Sequence, residues 1–259
     1  MQEIKSQKEL LKNKILIAVA TRGLIPTRFM VSIVALQEYF YEWVIKNKRE
    51  DVLSLTTQQG YLIDEQRNAL IEVAIKNEQT HILFLDDDMT FPADMIVRMI
   101  EDIEENEDQG VEAITGLYCL KSVPYSPHIY TVFNKKIKAF QISASFPTRS
   151  IFRVVGAGMG CCLIKTEVFK RIDKPWFLMG GEIDGAKGVG EDLYFCLKAK
   201  PLMLCDSRLQ CAHWKETPIQ LEDYIKSNGL NVDNKGQIQG SKEAFEIIGK
   251  KHLEKKSKK

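Results

Sequence analysis

An α/β protein with a central, mixed but mostly parallel sheet follows from three features of the sequence. Short, continuously apolar runs at residues 15–20 and 81–85 read as strands buried on both faces, as in a sheet covered by helices. Segments of helical spacing lie between the strand candidates. Strand, helix, strand, helix and strand are completed within about seventy residues, which is the sequence form of a doubly wound unit.

The first strand, residues 15–20, is broken by Thr21-Arg22-Gly23-Leu24-Ile25-Pro26, and a helix is predicted over 29–45. A second strand at 52–56 runs into the polar Thr57-Gln58-Gln59-Gly60. In 63–75, Leu70, Ile71 and Ala74 recur at helical spacing while Glu65, Arg67 and Glu72 face water. The third strand, 81–85, ends in Asp86-Asp87-Asp88. The next helix has Pro92 near its first turn and Met95, Ile96, Met99, Ile100 and Ile103 on one side. Its acidic stretch, residues 101–108, reads as a solvated end. A strand follows at 111–117, then a hairpin pairing 129–133 with 137–142, and a strand at 152–155. The glycine run Gly156-Ala157-Gly158-Met159-Gly160 precedes Cys161-Cys162-Leu163-Ile164 and a helix from Thr166. A mobile loop over 180–189 leads to a helix opened by Gly190-Glu191-Asp192.

The chain divides into a lead-in at 1–14, one continuous domain at 15–215, and an extension at 216–259. The extension carries a helix around 244–248 and six lysines between Lys250 and Lys259. That tail reads as a solvated end with weak attraction to anionic surfaces, which admits peripheral membrane contact. Across all 259 residues, 36 Lys and Arg balance 35 Asp and Glu, which argues against a nucleic-acid binder working through a broad electrostatic footprint. No apolar stretch approaches the ~20 residues of a membrane-spanning helix. The N-terminus lacks the pattern of a signal peptide, so the cytoplasm is the expected compartment. Six cysteines without a Cys-x-x-Cys pair suit reduced, packed thiols better than a disulfide framework.

Three adjacent carboxylates after a buried strand repel one another unless a cation or strong donors compensate. In an open α/β sheet, ligands bind at the carboxyl ends of the strands, so geometry and charge point to one place. With the backbone extended one further step, Asp86 and Asp88 face a shared site and Asp87 points away. One of the pair then binds Mg²⁺ or Mn²⁺, the other a sugar hydroxyl or metal-bound water, and diphosphate oxygens complete the shell. The glycine run is no phosphate loop, because it lacks the terminal Gly-Lys-Ser/Thr. It permits either close approach of backbone to a substrate or a bulge. Glu191 and Asp192 at a helix start are stabilised by the helix dipole, with capping alone as the plain reading.

In this order the features resemble the family-2-like glycosyltransferases with the GT-A fold. The resemblance rests on Ala20-Thr21-Arg22-Gly23, Arg67-Asn68, Phe84-Leu85-Asp86-Asp87-Asp88-Met89 with Pro92 (an Asp-x-Asp motif), Gly158-Met159-Gly160-Cys161, Gly190-Glu191-Asp192 and His213. It implies a metal-dependent enzyme moving one sugar from a nucleoside-diphosphate sugar, by family habit of uridine or guanosine, to an acceptor hydroxyl. Ala20, Thr21 and Arg22 would surround the nucleotide, Thr56 or Thr57 would approach the base, and Arg67 would reach the nucleotide or position its own helix. Asp86 and Asp87 fall on the ribose and sugar side, Asp86 also bordering the metal. Asp88 and His213 look like the protein ligands of Mn²⁺ or Mg²⁺. Asp192 looks like the acceptor base of an inverting member, with Glu191 orienting it or touching acceptor. Gly158, Met159 and Trp176 would contact sugar or acceptor, Trp176 by stacking; Phe177 and Trp214 serve equally as stacking surfaces or core. The Gln-x-x-Arg-Trp element and membrane helices of processive polymerases are missing, which favours single-sugar transfer. A metal-dependent nucleotidyl transferase and a degenerate carbohydrate-binding protein are the competing classes.

Overall fold

The computed structural model describes residues 13–141, 145–215 and 218–240. Strand β1 (Lys14–Thr21) leads into helix α1 (Thr27–Lys46), β2 (Val52–Gln59), α2 (Ile63–Lys76) and β3 (His81–Asp86). The short β4 (Met89–Thr90) precedes α3 (Met95–Glu105) and β5 (Ala113–Leu117). Then come β6 (Ile129–Tyr130), β7 (Val132–Asn134), β8 (Ala139–Gln141), β9 (Ile151–Val154), β10 (Gly156–Ala157) and β11 (Cys161–Lys165). The four-residue α4 (Glu167–Lys170), β12 (Gly181–Ile183), β13 (Ala186–Val189), α5 (Glu191–Ala199), β14 (Met203–Gln210), β15 (Ala212–Trp214) and α6 (Leu221–Ser227) follow.

Seven strands form the central sheet in the order β2-β1-β3-β11-β5-β14-β9. β11 runs antiparallel to both neighbours and β9 antiparallel to β14, while the other five strands point one way. The apolar run of β1 is explained by its two covered faces. Leu16, Ala18 and Ala20 pack with Leu70, Ile71 and Ala74 of α2, whereas Ile15, Ile17 and Val19 pack with Phe29, Ile33, Leu36 and Phe40 of α1. Each large side chain so buried contributes roughly 1.5–3 kcal/mol. All six cysteines are buried and unbridged.

Tertiary pairing alters several sequence-derived bounds. β2 continues through the polar Thr57, Gln58 and Gln59 because β1 offers it a full parallel ladder up to Thr21↔Gln59. In the expected hairpin only β7 and β8 pair; residues 129–130 turn instead to β10. The helix after Thr166 stops after one turn, short of Pro175. From the extension, Leu221, Tyr224, Leu230 and Ile238 are buried in the α2-side core. The Lys-rich tail and the helix expected around 244–248 lie outside the described residues, as does most of the lead-in. No helix among the described residues is long and apolar enough to cross a membrane.

Beneath α3, Asp102 and Asp206 are both buried and share Arg208, whose Nη2 donates to Asp102 Oδ1 (2.8 Å) and whose Nε donates to Asp206 Oδ1 (2.8 Å). Burial, reinforced by the Asp206 charge, pushes the Asp102 carboxyl up to about 7. A folded pKa above the unfolded one gives stability that is complete below the ordinary carboxyl range and lost as pH rises through about 7. Thermal melts of wild type and Asp102→Asn are therefore expected to converge on raising the pH from 5 to 8 if wild type starts ahead, or to cross in favour of the variant. A difference independent of pH would contradict this.

Candidate active site

A cleft of about 770 Å³ opens where the carboxyl ends of β1 and β3 meet the start of α5. Ala20, Thr21, Arg22, Arg67, Asp86, Asp87, Asp88, Met159, Glu191, Asp192 and His213 all line it. Thr56 and Thr57 do not: they lie inside β2, opposite Ala18 and Val19, because the strand runs on to Gln59. Trp176 is not a stacking platform either. Its ring is buried, its Nε1–H donates to Phe169 O (2.8 Å), and it packs edge-on against Phe169. Phe177 stacks on Phe195 within the same core, and Trp214 donates from Nε1 to Thr90 Oγ1 (3.0 Å) beneath the guanidinium of Arg28.

Within the aspartate triplet the chain turns at Asp87 and Asp88 rather than staying extended, so all three carboxylates line the cleft. Asp87, expected to point away, lines the cleft as well, and burial, with Asp88 and Asp86 beside it, raises its carboxyl. Asp86 is the ladder partner of Ala20 and accepts from Arg67 Nη2 (3.0 Å). Arg67 is itself buried and also donates from Nη1 to Glu191 Oε1 (2.5 Å). It thus acts as an internal counter-ion joining β3 to α5. Burial raises Glu191 and Asp192 above the usual carboxylate range despite that guanidinium.

His213 reaches the triplet through strand pairing. β15 lies antiparallel on β4, setting His213 opposite Met89, and Trp214 N–H donates to Asp88 O (2.8 Å). His213 Nδ1 is 2.8 Å from Cys119 O, a contact that requires a proton on Nδ1. In the neutral ring, Nε2 then turns its lone pair toward Asp88 Oδ1 at 3.3 Å, and that oxygen is buried without a hydrogen-bond partner. Two confronted acceptors of this kind fit a divalent cation, with Nδ1–H on a carbonyl fixing the ligating tautomer. Although burial alone would raise Asp88, the Lys121 ammonium on its other oxygen draws the carboxyl below its ordinary range. Among the described residues, no group of three or more His, Cys, Asp or Glu side chains is placed to hold an ion unaided. A cation at Asp88 and His213 would therefore need oxygens from a bound phosphate or water.

Three residues of this neighbourhood escape sequence reasoning: Tyr118, Lys121 and His128. Gly160 N–H donates to Tyr118 Oη (3.1 Å), so the hydroxyl proton is available to His128 Nδ1 (3.1 Å). His128 Nε2–H then faces Asp192 Oδ2 at 3.3 Å, while Asp192 Oδ1 accepts Leu193 N–H (2.7 Å). Burial pulls His128 down to about 4, which keeps the ring neutral and the chain of donors intact at neutral pH. Gly158 belongs to this network rather than to a substrate contact. A Cβ there would collide with His128 Nδ1 and Tyr118 Oη, so the missing side chain lets backbone pass behind the cleft floor. Gly160 does the same for Asp86 Oδ2, 2.9 Å from where its Cβ would stand. No motif marks His128; only its position opposite α5 reveals it.

No protein-family profile and no curated protein sequence matches this chain. Among solved structures, it is similar to A197 from STIV, with a TM-score of 0.52 and 22% identity over 80% of this chain and 89% of that one. The catalytic domain of Drosophila β1,4-galactosyltransferase 7, in complex with xylobiose, aligns at a TM-score of 0.38 and 12% identity, covering 80% of this chain and 67% of that one. The first likeness is one of fold. The seven-stranded, mostly parallel sheet with helices on both faces is compatible with the GT-A type.

Proposed function

We propose that this protein is a glycosyltransferase that binds a nucleoside-diphosphate sugar together with Mn²⁺ or Mg²⁺ and passes the sugar to an acceptor hydroxyl. What supports this is the confrontation of Asp88 Oδ1 and His213 Nε2 in a cleft that Asp192 also lines. An acidic cleft of this kind accepts a diphosphate only when cations accompany it. Ala20, Thr21 and Arg22 wall the side on which the nucleotide would lie.

Asp192 takes the proton of the acceptor hydroxyl, the acceptor oxygen bonds to the anomeric carbon, and the bond from that carbon to phosphate oxygen breaks with its electron pair leaving on the diphosphate. Glu191 is occupied by Arg67, which makes Asp192 the base of the pair. His128 and the Leu193 amide hold its carboxylate in place. Bound between Asp88 and His213, the divalent cation would neutralise charge growing on the leaving diphosphate.

The test is a panel of nucleotide sugars with Mn²⁺ or Mg²⁺, scored for slow release of nucleoside diphosphate. Release from one donor is expected, falling by roughly a hundredfold or more in Asp88→Ala. Sugar binding without release or metal dependence would overturn the transferase in favour of a carbohydrate-binding protein.

A further inference from the structure

Lys121 brings a cation to the acidic turn from a segment that no motif covers. It stands four residues beyond the end of β5, in a turn closed by Leu120 N–H to Ser126 O (2.9 Å). Asn228, the residue that follows α6, anchors that turn by donating from Nδ2 to Pro124 O (2.9 Å). The Lys121 ammonium meets Asp88 Oδ2, while Oδ1 of the same carboxylate faces His213 Nε2. The side chain is 31% exposed, and both its neighbour Leu120 and its partner Asp88 line the cleft. One carboxylate thus serves two cation positions, one filled by the chain itself.

We propose that Lys121 is a second, protein-borne cation for the leaving group: it shares Asp88 with the divalent ion and contacts the diphosphate. This rests on the nucleotide-sugar reading of the cleft and adds a residue to it. The two cations repel each other yet attract the same ligand, so removing Lys121 acts in opposite directions on two equilibria. A Lys121–Asp88 ion pair with no contact to the diphosphate would, on removal, tighten Mn²⁺ without weakening the nucleoside diphosphate.

The experiment compares the full-length wild type with Lys121→Met and Lys121→Arg. Binding of Mn²⁺ alone is followed by electron paramagnetic resonance, and binding of UDP and GDP at saturating Mn²⁺ by calorimetry. In Lys121→Met the Mn²⁺ dissociation constant is expected to fall roughly five- to tenfold and that of the nucleoside diphosphate to rise about tenfold. Lys121→Arg keeps the charge and should stay close to wild type in both. A nucleoside-diphosphate constant that does not rise in Lys121→Met, whether or not Mn²⁺ tightens, overturns the proposal while leaving the donor site standing. A folded wild type that binds neither nucleotide with Mn²⁺ overturns the donor site and the role of Lys121 together.

Discussion

Replacing Asp192 by asparagine is expected to lower turnover by about 10²–10⁴-fold, the usual worth of a positioned general base, with donor affinity nearly unchanged. The substitution is close to isosteric, and an amide oxygen can still accept from His128 Nε2–H or from the Leu193 amide, so the start of α5 keeps its shape. What is lost is the ability to take a proton. Burial raises the Asp192 carboxyl and makes it a stronger base once ionised. The same shift predicts a wild-type rate that climbs with pH as Asp192 loses its proton, a limb that should vanish in the variant. Steady-state rates from pH 5 to 9 decide the matter. Wild-type turnover in Asp192→Asn, or a limb surviving in it, would move the base elsewhere.

Legibility in the sequence followed the range of the forces involved. Strands β1 and β3 could be read directly, because burial on both faces demands unbroken apolar residues, and the aspartate triplet marks where β3 ends. The strand bearing Thr56 reads three residues too short, because polar Thr57, Gln58 and Gln59 on an edge strand look like a loop until the ladder with β1 is known. Trp176 failed for a related reason: an indole filling core and one stacking on sugar have the same letter, and only Phe169 O distinguishes them. The turn at Asp87 is set by β4 pairing with β15, a contact invisible in local spacing. The ligand role of His213 comes from family resemblance, whereas its tautomer and the orphaned Asp88 oxygen need coordinates. Tyr118, His128 and Asp192 meet only because β5, its following loop and α5 converge, so no window of sequence contains their network.

Replacing Arg67 by methionine should destabilise the fold by about 3–5 kcal/mol at pH 8, since removing one partner of a buried ion pair strands the others. Methionine fills a similar volume and can still lie against Phe177, whose ring centre is 5.7 Å from the guanidinium carbon, so the loss is one of charge rather than packing. The stranded groups would be Asp86 and Glu191, with Asp192 beside them. Burial, followed by the Asp192 charge, already raises Glu191, and loss of the guanidinium that opposes this would raise it further. Carboxyls with folded pKa values above their unfolded ones stabilise fully when protonated and lose that contribution as pH rises. The deficit of Arg67→Met should therefore be smallest near pH 4 and grow towards pH 8, as denaturant titrations at both ends would show. Arg67→Lys keeps the charge but loses the fork that bridges two carboxylates, and should fall between. A deficit equal at all pH values would mean that Arg67 acts by packing, and that the acidic cleft is held open by something other than this internal cation.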